Sequence, residues 1–169
     1  DASKACTELI ARSYNQTYGV PIAITRCGNL FGGGDLNFNR LIPGTIRAGL
    51  SGEQPIIRSD GKFLRDYFYV EDAIAAYLLL AEKMGDHDLS GEAFNFGTEQ
   101  PMDVLTVVTK ILARLGRTDL KPIILNEASN EIRAQYLDCD KAHTRLGWQS
   151  QFAFEECLDR TIEWYRANS

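Results

Sequence analysis

The chain has 169 residues, 44% hydrophobic and 24% charged, a composition typical of a globular domain that buries an apolar core. Its formal net charge of −5 excludes a broad basic surface for nucleic acid or anionic lipid, so any bound anion must be held by a few local arginines. No apolar run reaches the roughly 20 residues that a membrane-spanning helix needs, so we expect no membrane partner.

The cysteines and histidines do not form a recognisable metal or redox pattern. The four cysteines lack a CxxC pair, which predicts buried, reduced thiols in a cytoplasmic protein: Cys6, Cys27, Cys139 and Cys157. His87 and His143 lie far apart in polar sequence, and neither has a neighbour typical of a metal ligand. We therefore expect no metal site.

The first third of the chain alternates helix and strand. Apolar residues at helical spacing predict an opening helix that ends before Gly19. The β-rich run 20–26 predicts a buried strand, and the three glycines at 32–34 predict an irregular loop. A helix is expected over 39–52, with Pro43 in its first turn.

The same alternation continues to the end of the chain. A strand is predicted at DYFYV, followed by a helix with Glu71 and Asp72 in its first turn. The apolar stripe predicted for that helix consists of Val70, Ile74, Tyr77, Leu78 and Ala81. The remaining predicted elements are strands at 92–97, PIIL and QYLD, and helices at 103–115, 141–146 and 154–166.

This order predicts an α/β architecture, because strands that alternate with helices form layered α/β folds. A nucleotide-binding parallel sheet needs several βα units, and the chain has about two strands long enough to belong to one. There is no GxGxxG, since the glycines at 32–34 have the wrong spacing, and no P-loop. We therefore expect the dinucleotide-binding half of such a fold to be absent from this chain.

Three features are candidates for a functional site, each with an ordinary alternative. Lys4 lies one turn into the first helix and could be a solvated surface lysine. Asn29 follows a strand, where open α/β sheets bind ligands, or it could satisfy its own turn. Four arginines lie near loops or element ends, where a guanidinium can bind phosphate oxygens or simply face solvent: Arg40, Arg58, Arg65 and Arg133.

Together these features form an ordered series that resembles a known family. SK in the first helix is followed by RxxNxFG, LRDYFYVEDAIAAYLLL, FNFG and RLGW. Over residues 1–148 the series is similar to the extended short-chain dehydrogenase/reductase family, specifically its nucleotide-sugar-modifying branch. The run Gly-Gly-Gly-Asp-Leu-Asn after Phe31 narrows the resemblance to the enzymes of that branch that act on CDP-sugars.

The resemblance implies a fold and an assembly. Residues 1–169 would be one C-terminal, substrate-binding unit of a Rossmann-type enzyme, with its last parallel strands and a small mixed α/β lobe. Residues 1–35 would retain a helix and strand of the Rossmann core, and 36–169 would mostly form the nucleotide-sugar-binding lobe. Relatives pair through the first helix, so a homo-oligomer (dimer or tetramer) is expected, although Leu9, Ile10 and Tyr14 could instead pack against the sheet. We also expect an exposed apolar patch near Lys4 and 20–26.

The resemblance also implies a catalytic and cofactor-binding role for Lys4. It would be the lysine of a YxxxK pair, whose tyrosine would precede Asp1, and its ammonium would lower the pKa of the phenol. It would also bind the nicotinamide ribose of NAD, with Cys27 and Gly28 on the same cofactor side.

The substrate contacts implied by the resemblance follow the arginines and Asn29. Asn29, Arg40 and Arg65 would bind the diphosphate, with Asp66 orienting Arg65. Arg58 would approach the nucleobase, and Arg133 would supply a late phosphate contact.

The implied reaction converts CDP-glucose to its 4-keto-6-deoxy product with loss of water, using NAD and carboxylates that lie upstream of the chain. A dTDP-glucose or GDP-mannose dehydratase, or a sugar-nucleotide epimerase, remains an alternative within the family. A non-catalytic nucleotide-sugar-binding fragment is the alternative outside enzymes.

Overall fold

The computed structural model describes residues 2–85, 89–128 and 131–168; His87 lies outside them. The helices are α1 (Ala2–Tyr18), α2 (Leu41–Ser51), α3 (Val70–Lys83), α4 (Val104–Leu115), α5 (Asp140–Leu146) and α6 (Phe154–Ala167). The strands are β1 (Ile24–Cys27), β2 (Asn29–Phe31), β3 (Ile56–Ile57), β4 (Leu64–Arg65), β5 (Tyr67–Tyr69), β6 (Ala93–Phe96), β7 (Met102–Asp103), β8 (Ile123–Ile124) and β9 (Ala134–Gln135).

Two parallel strand pairs organise the fold. β1 pairs with β6, with Ile24 opposite Ala93, and β2 pairs with β5, with Asn29 opposite Tyr67. The connection from β1 to β6 includes α3, as parallel pairing requires a crossover. The predicted α/β class is therefore confirmed, although β1 is shorter than the predicted strand 20–26 and β2, which directly precedes the glycines at 32–34, was not predicted.

The smaller sheets are mixed. β3 pairs in parallel with β8, while β4 lies between β7, which is antiparallel to it, and β9, which is parallel. This matches the small mixed lobe implied by the resemblance. β1 lies before residue 35 and pairs with β6, which lies after it. The β1–β6 sheet therefore draws on both sides of the division at residue 35, and that division stays a prediction.

Helix α4 shows how local sequence sets an element. The Asp103 side chain accepts a hydrogen bond from Thr106 N at 2.8 Å and caps the first turn. Gly116 ends the helix with a φ of 73°, a left-handed conformation that favours glycine. The buried face of α4 packs between α2 and α6 and consists of Val107, Val108, Ile111 and Leu112.

The stripe predicted for α3 is wrong. Its buried residues are Asp72, Ala73, Ala76 and Leu80, whereas Ile74, Tyr77 and Leu78 are exposed. The alanines allow close packing in the cluster that contains Phe68 and Trp148, and Asp72 accepts hydrogen bonds from Ser150 Oγ and Gln151 N. Periodicity alone selected the larger side chains, but close packing requires the small ones.

Helix α1 buries none of its residues. Leu9, Ile10, Tyr14 and Tyr18 are exposed, so the predicted apolar patch is present on this helix and does not pack on the sheet. Val20 extends the patch, whereas residues 22–25 are half-buried.

The prediction of buried thiols holds for only two cysteines. All four thiols are free; Cys139 and Cys157 are buried, Cys27 is half-buried and Cys6 is exposed on α1. Cys6 departs from the prediction because the helix that carries it has no covered face.

Candidate ligand-binding site

A cavity of about 650 Å³ lies beside α2 and β3–β5. Its lining includes four residues that the sequence singled out: Asn29, Arg40, Arg58 and Arg65. Further lining residues that sequence reasoning did not select include Phe38, Arg47, Glu53, Phe63, Tyr67 and Glu131. Within this lining four arginines face two glutamates, so the cavity is locally positive in an acidic chain.

The backbone around Asn29 is fixed by hydrogen bonds to the residue before β5 and to the end of β6. Asn29 N donates to Asp66 O at 2.7 Å, and Gly28 N donates to Phe96 O at 2.9 Å. A Cβ at Gly28 would lie 3.0 Å from Asp66 O and 3.3 Å from Phe68 Cβ. Gly28 therefore has a packing role that places Asn29 at the cavity, and its predicted cofactor role stays a prediction.

Arg65 is the least exposed of the cavity arginines whose ion pairs the structure describes. Its side chain is 14% exposed, against 46% for Arg40. One nitrogen donates to Leu64 O at 2.8 Å, and another lies 3.5 Å from Glu131, whose side chain is largely exposed. A mostly buried guanidinium with one long, exposed carboxylate contact retains donors for an anionic ligand.

Arg40 and Arg58 differ in how their charges are neutralised. Arg40 donates to Asp35 Oδ2 at 2.9 Å and to Leu30 O at 2.8 Å, so it braces the loop before α2 as well as lining the cavity. Arg58 follows β3 and is exposed, with no side-chain hydrogen bond or ion pair recorded within the described ranges.

The proposed orientation of Arg65 by Asp66 is wrong. Asp66 is buried and accepts hydrogen bonds from Thr98 N at 3.0 Å and from Glu99 N at 3.2 Å. Alternation along the chain directs the side chains of Arg65 and Asp66 to opposite sides. Asp66 therefore binds the turn after β6 and does not contact the guanidinium of Arg65. Arg65 is therefore positioned by the mixed sheet that contains β4.

Arg133 is exposed and is not among the cavity-lining residues found in the described part of the chain. Its carbonyl accepts a hydrogen bond from Leu64 N at 2.8 Å, which joins its loop to the strand that carries Arg65. The predicted phosphate contact of its side chain stays a prediction.

Lys4 is exposed, and its position follows from its neighbour on α1. Glu8, one turn later, accepts hydrogen bonds from Arg26 near the end of β1. Since α1 leads into β1 in the opposite direction, Lys4 lies toward the carboxyl end of β1, where open α/β sheets bind ligands. Cys27 lies at that end too, with Sγ 3.7 Å from Tyr77 Oη, and burial raises the pKa of its thiol.

Tyr67 was predicted only as a strand residue, although it lines the cavity. Burial is the largest cause that raises the pKa of its phenol, so this side chain remains protonated and can donate a hydrogen bond at neutral pH. All three β5 residues are buried, so the strand has no exposed side that would show as polar residues in the sequence. The sequence DYFYV therefore does not indicate which tyrosine faces the cavity.

His143 has a carboxylate neighbour that the sequence did not reveal. Its Nε2 lies 2.8 Å from Glu99 and its Nδ1 lies 2.7 Å from Trp148 O. Glu99 also approaches the carboxylates of Asp138 and Asp140, all three being exposed. The expected absence of a metal site stays a prediction.

Comparison with known proteins places this geometry in a family. Residues 1–97 match the NAD dependent epimerase/dehydratase family. Since the match covers more than half of the chain, the chain belongs to that family. The family assignment confirms the extended short-chain dehydrogenase architecture, and NAD dependence is the cofactor property of the family.

The most similar proteins include sugar-nucleotide 4,6-dehydratases. The chain is 32% identical to dTDP-glucose 4,6-dehydratase of Haemophilus influenzae and 31% identical to CDP-glucose 4,6-dehydratase of Salmonella typhimurium. These matches cover 99% and 98% of the chain but only 52% and 49% of the relatives, so the chain spans about half their length. The structure of DesIV, a dTDP-glucose 4,6-dehydratase from Streptomyces venezuelae with NAD bound, matches with a TM-score of 0.87 and 28% identity. That match covers 99% of this chain and 50% of DesIV.

The residues present fit an NAD site only in part. Lys4 and Cys27 lie toward the carboxyl end of β1, which is the end of a parallel sheet that binds dinucleotides. The chain contains no GxGxxG to hold the pyrophosphate of a dinucleotide. None of the helices in the described part of the chain combines the length and the hydropathy that a membrane span requires.

Proposed function

We propose that this chain supplies the nucleotide-sugar-binding part of a 4,6-dehydratase that converts CDP-glucose to CDP-4-keto-6-deoxyglucose. The observation that carries the proposal is the cavity beside α2, where arginines outnumber carboxylates although the chain as a whole is acidic. A diphosphate needs such a site, because guanidinium groups bind phosphate oxygens through paired hydrogen bonds.

The residue roles follow from charge and position. Arg65 binds the diphosphate, since its guanidinium is mostly buried and has only the long Glu131 contact as an ion pair within the described residues. Asn29 offers an amide at the same cavity, and Arg40 adds charge while it braces the preceding loop. Arg133 is proposed as a phosphate contact from the joined loop.

On the cofactor side, NAD supplies a hydride acceptor that is regenerated when the hydride returns to the sugar. Lys4 provides an ammonium toward the carboxyl end of β1, where it can stabilise a neighbouring phenolate and donate to ribose hydroxyls. Cys27 and Gly28 form the adjoining wall.

Arg58 favours cytosine over the other pyrimidine bases. Cytosine presents two adjacent acceptors, O2 and N3, to a guanidinium fork, whereas thymine and uracil carry a proton on N3. A donor facing that N–H would leave both groups without a partner, which discriminates strongly in a desolvated site. Arg58 lines the cavity and is exposed, so this discrimination requires the bound base to cover its guanidinium.

Binding measurements test the base preference directly. Calorimetric titration with CDP, dTDP, UDP and GDP is expected to rank CDP first, and Arg58→Ala is expected to reduce its lead over dTDP by about tenfold. Arg145 is an exposed arginine on α5 that does not line the cavity, so Arg145→Ala is the matched control. A preference for dTDP that survives Arg58→Ala would transfer the proposal to the dTDP-glucose dehydratases.

The reaction is tested on the whole protein that contains this chain, incubated with NAD and CDP-glucose. A dehydratase yields a product lighter by one water, whereas an epimerase yields a product of unchanged mass. CDP-glucose that is bound but recovered unchanged would favour the non-catalytic alternative.

The proposed homo-oligomer uses the exposed apolar face of α1. Leu9, Ile10 and Tyr14 provide a continuous surface that a second subunit could cover. Sedimentation of the protein and of an Ile10→Glu variant tests it, since a subunit contact there predicts dissociation in the variant only.

A further inference from the structure

The cavity arginines fall into two groups according to their partners. Arg40 is paired with Asp35, and Arg65 is paired with Glu131. Arg47 and Arg58 make no ion pair within residues 2–85, 89–128 and 131–168, although both line the cavity. Arg47 therefore brings a charge to the site that the chain itself does not neutralise there.

Arg47 lies at the edge of the α2 face that is directed at the cavity, where it also borders a second, smaller cavity beside Trp164. Leu41, Gly44, Thr45 and Ala48 line the larger cavity, at the spacing of one helical face. Arg47 lies three residues after Gly44 and is exposed, so its long side chain can reach along the cavity wall.

Phe38 holds the guanidinium of Arg47 in place. The Arg47 Cζ lies 4.2 Å from the centroid of the Phe38 ring, a cation–π contact that leaves the N–H donors at the rim of the guanidinium available. Phe38 also lines the cavity, and its ring centroid lies 6.3 Å from that of Tyr165 on α6.

A glycine on α2 sets the position of Phe38. A Cβ at Gly44 would lie 2.6 Å from Phe38 O, so only glycine lets the helix approach the loop this closely. Gly44 and Arg47 occupy adjacent turns of one face, and the same approach therefore brings Phe38 under Arg47.

We infer that Arg47 is a further substrate-binding residue, which contacts the diphosphate of the nucleotide sugar while Phe38 positions its guanidinium. The inference rests on the proposed function, because it takes the ligand to contain a diphosphate. Glu53, the other carboxylate of the lining besides Glu131, makes no ion pair with Arg47 among the described residues. An anionic ligand thus meets this guanidinium without displacing an internal partner.

Titration of CDP and of inorganic pyrophosphate into the protein and its variants tests the inference. Arg47→Ala is expected to weaken both ligands by about tenfold or more, since a charge-assisted hydrogen bond is lost from each. Arg47→Lys keeps the charge but not the fork and is expected to weaken them less. Arg145→Ala should bind both ligands as the unaltered protein does.

Phe38→Leu tests the positioning role. It keeps Arg47 but removes the ring, so we expect a loss of about threefold for both ligands, with the added effect of Arg47→Ala reduced in the double variant. Independent effects that simply multiply would contradict the positioning role of Phe38.

The outcomes separate the two proposals. Unchanged binding of both ligands by folded Arg47→Ala would overturn the role of Arg47 and leave the proposed function standing. A loss for CDP without a loss for pyrophosphate would place Arg47 at the nucleoside and also overturn the inference. Failure of the unaltered protein to bind either ligand would overturn the proposed function and the inference together.

Discussion

Helices α4 and α1 both repeat apolar side chains at helical spacing, yet they end in opposite environments. α4 buries Ile111 and its neighbours between α2 and α6, whereas α1 buries no residue. The side-chain hydrogen bonds that join α1 to the rest of the described chain run from Arg26 to Glu8 and from Asn15 to Val20 O and Ser90 Oγ. Apolar residues at helical spacing thus identify the apolar face of a helix. Whether that face is buried depends on whether another element packs against it.

Core truncation should give the largest difference between the two helices. Ile111 is 0% exposed, so Ile111→Ala is expected to lower the free energy of unfolding by about 3 kcal/mol. Ile10 is 59% exposed in the single subunit, so Ile10→Ala should change the free energy of unfolding of the dissociated subunit by less than about 0.5 kcal/mol. Urea denaturation in dilute solution, where subunits are apart, measures both, and equal losses there would mean that α1 is covered within its own subunit.

Sequence reasoning predicted the fold well where local chemistry decides. Gly19, Gly116 and Gly147 have positive φ and follow helices that end where the sequence predicted, and the helix predicted at 103–115 is α4, Val104–Leu115. Sequence reasoning was wrong for the stripe of α3, because Ala73 and Ala76 are too small to mark a stripe even though their size permits the close packing.

Sequence reasoning predicted part of the site, because residues near strand ends can be found from order alone. Asn29 and Arg65 do line the cavity. Arg47 was missed because it lies in mid-helix, and only the fold shows which side of α2 meets the cavity. Arg40 pairs with Asp35, and Arg65 pairs with Glu131. Both carboxylates lie in loops whose conformation the sequence does not specify, so neither ion pair could be predicted from the sequence.

Thiol chemistry should distinguish the exposed helix from the core by rate. Burial raises the pKa of Cys157 on α6 to about 12, so little thiolate is present at neutral pH, and Cys6 on α1 is exposed. We expect Cys6 to react with iodoacetamide at least about a hundredfold faster than Cys157 in the native protein. Peptide mass spectrometry follows both sites, and similar rates would show that α6 opens readily.

Two glycines offer a smaller contrast of the same kind. A Cβ at buried Gly97 would lie 2.2 Å from Asp66 Oδ2, whereas one at Gly85 would have no neighbour within 4 Å among the residues that the structure describes. Gly97→Ala should therefore destabilise the protein by about 2 kcal/mol, because the Asp66 contacts with Thr98 and Glu99 must shift. Gly85→Ala should leave the melting temperature nearly unchanged. A Gly97→Ala variant as stable as Gly85→Ala would show that Asp66 moves at little cost.

The smallest effect concerns two ion pairs that respond differently to pH. Lys110 and Glu155 join α4 to α6, while His143 and Glu99 join α5 to the turn after β6. Hydrogen bonding to Glu99 is the largest cause that raises the pKa of His143 above 6.5. The Cys139 backbone N–H, followed by His143, lowers the pKa of Glu99 below 4.5.

The signs of these shifts define a pH window. A raised histidine pKa stabilises the fold below pH 6.5, and this contribution is lost as the pH rises through the folded value. A lowered glutamate pKa stabilises the fold above pH 4.5, and this contribution is lost as the pH falls through the folded value. The pair therefore contributes most between pH 4.5 and 6.5, by at most about 1 kcal/mol because both side chains are partly exposed to solvent.

His143→Gln should accordingly reduce stability most between pH 4.5 and 6.5, with the difference from the unaltered protein shrinking toward pH 8. Thermal melts across this range measure it, and Lys110→Gln provides a control whose effect should stay nearly constant from pH 6 to 8 because its partner has a lowered pKa. If the two variants showed the same pH profile, the pH dependence assigned to His143 would be contradicted, and His143 would be bound to Glu99 as a neutral imidazole.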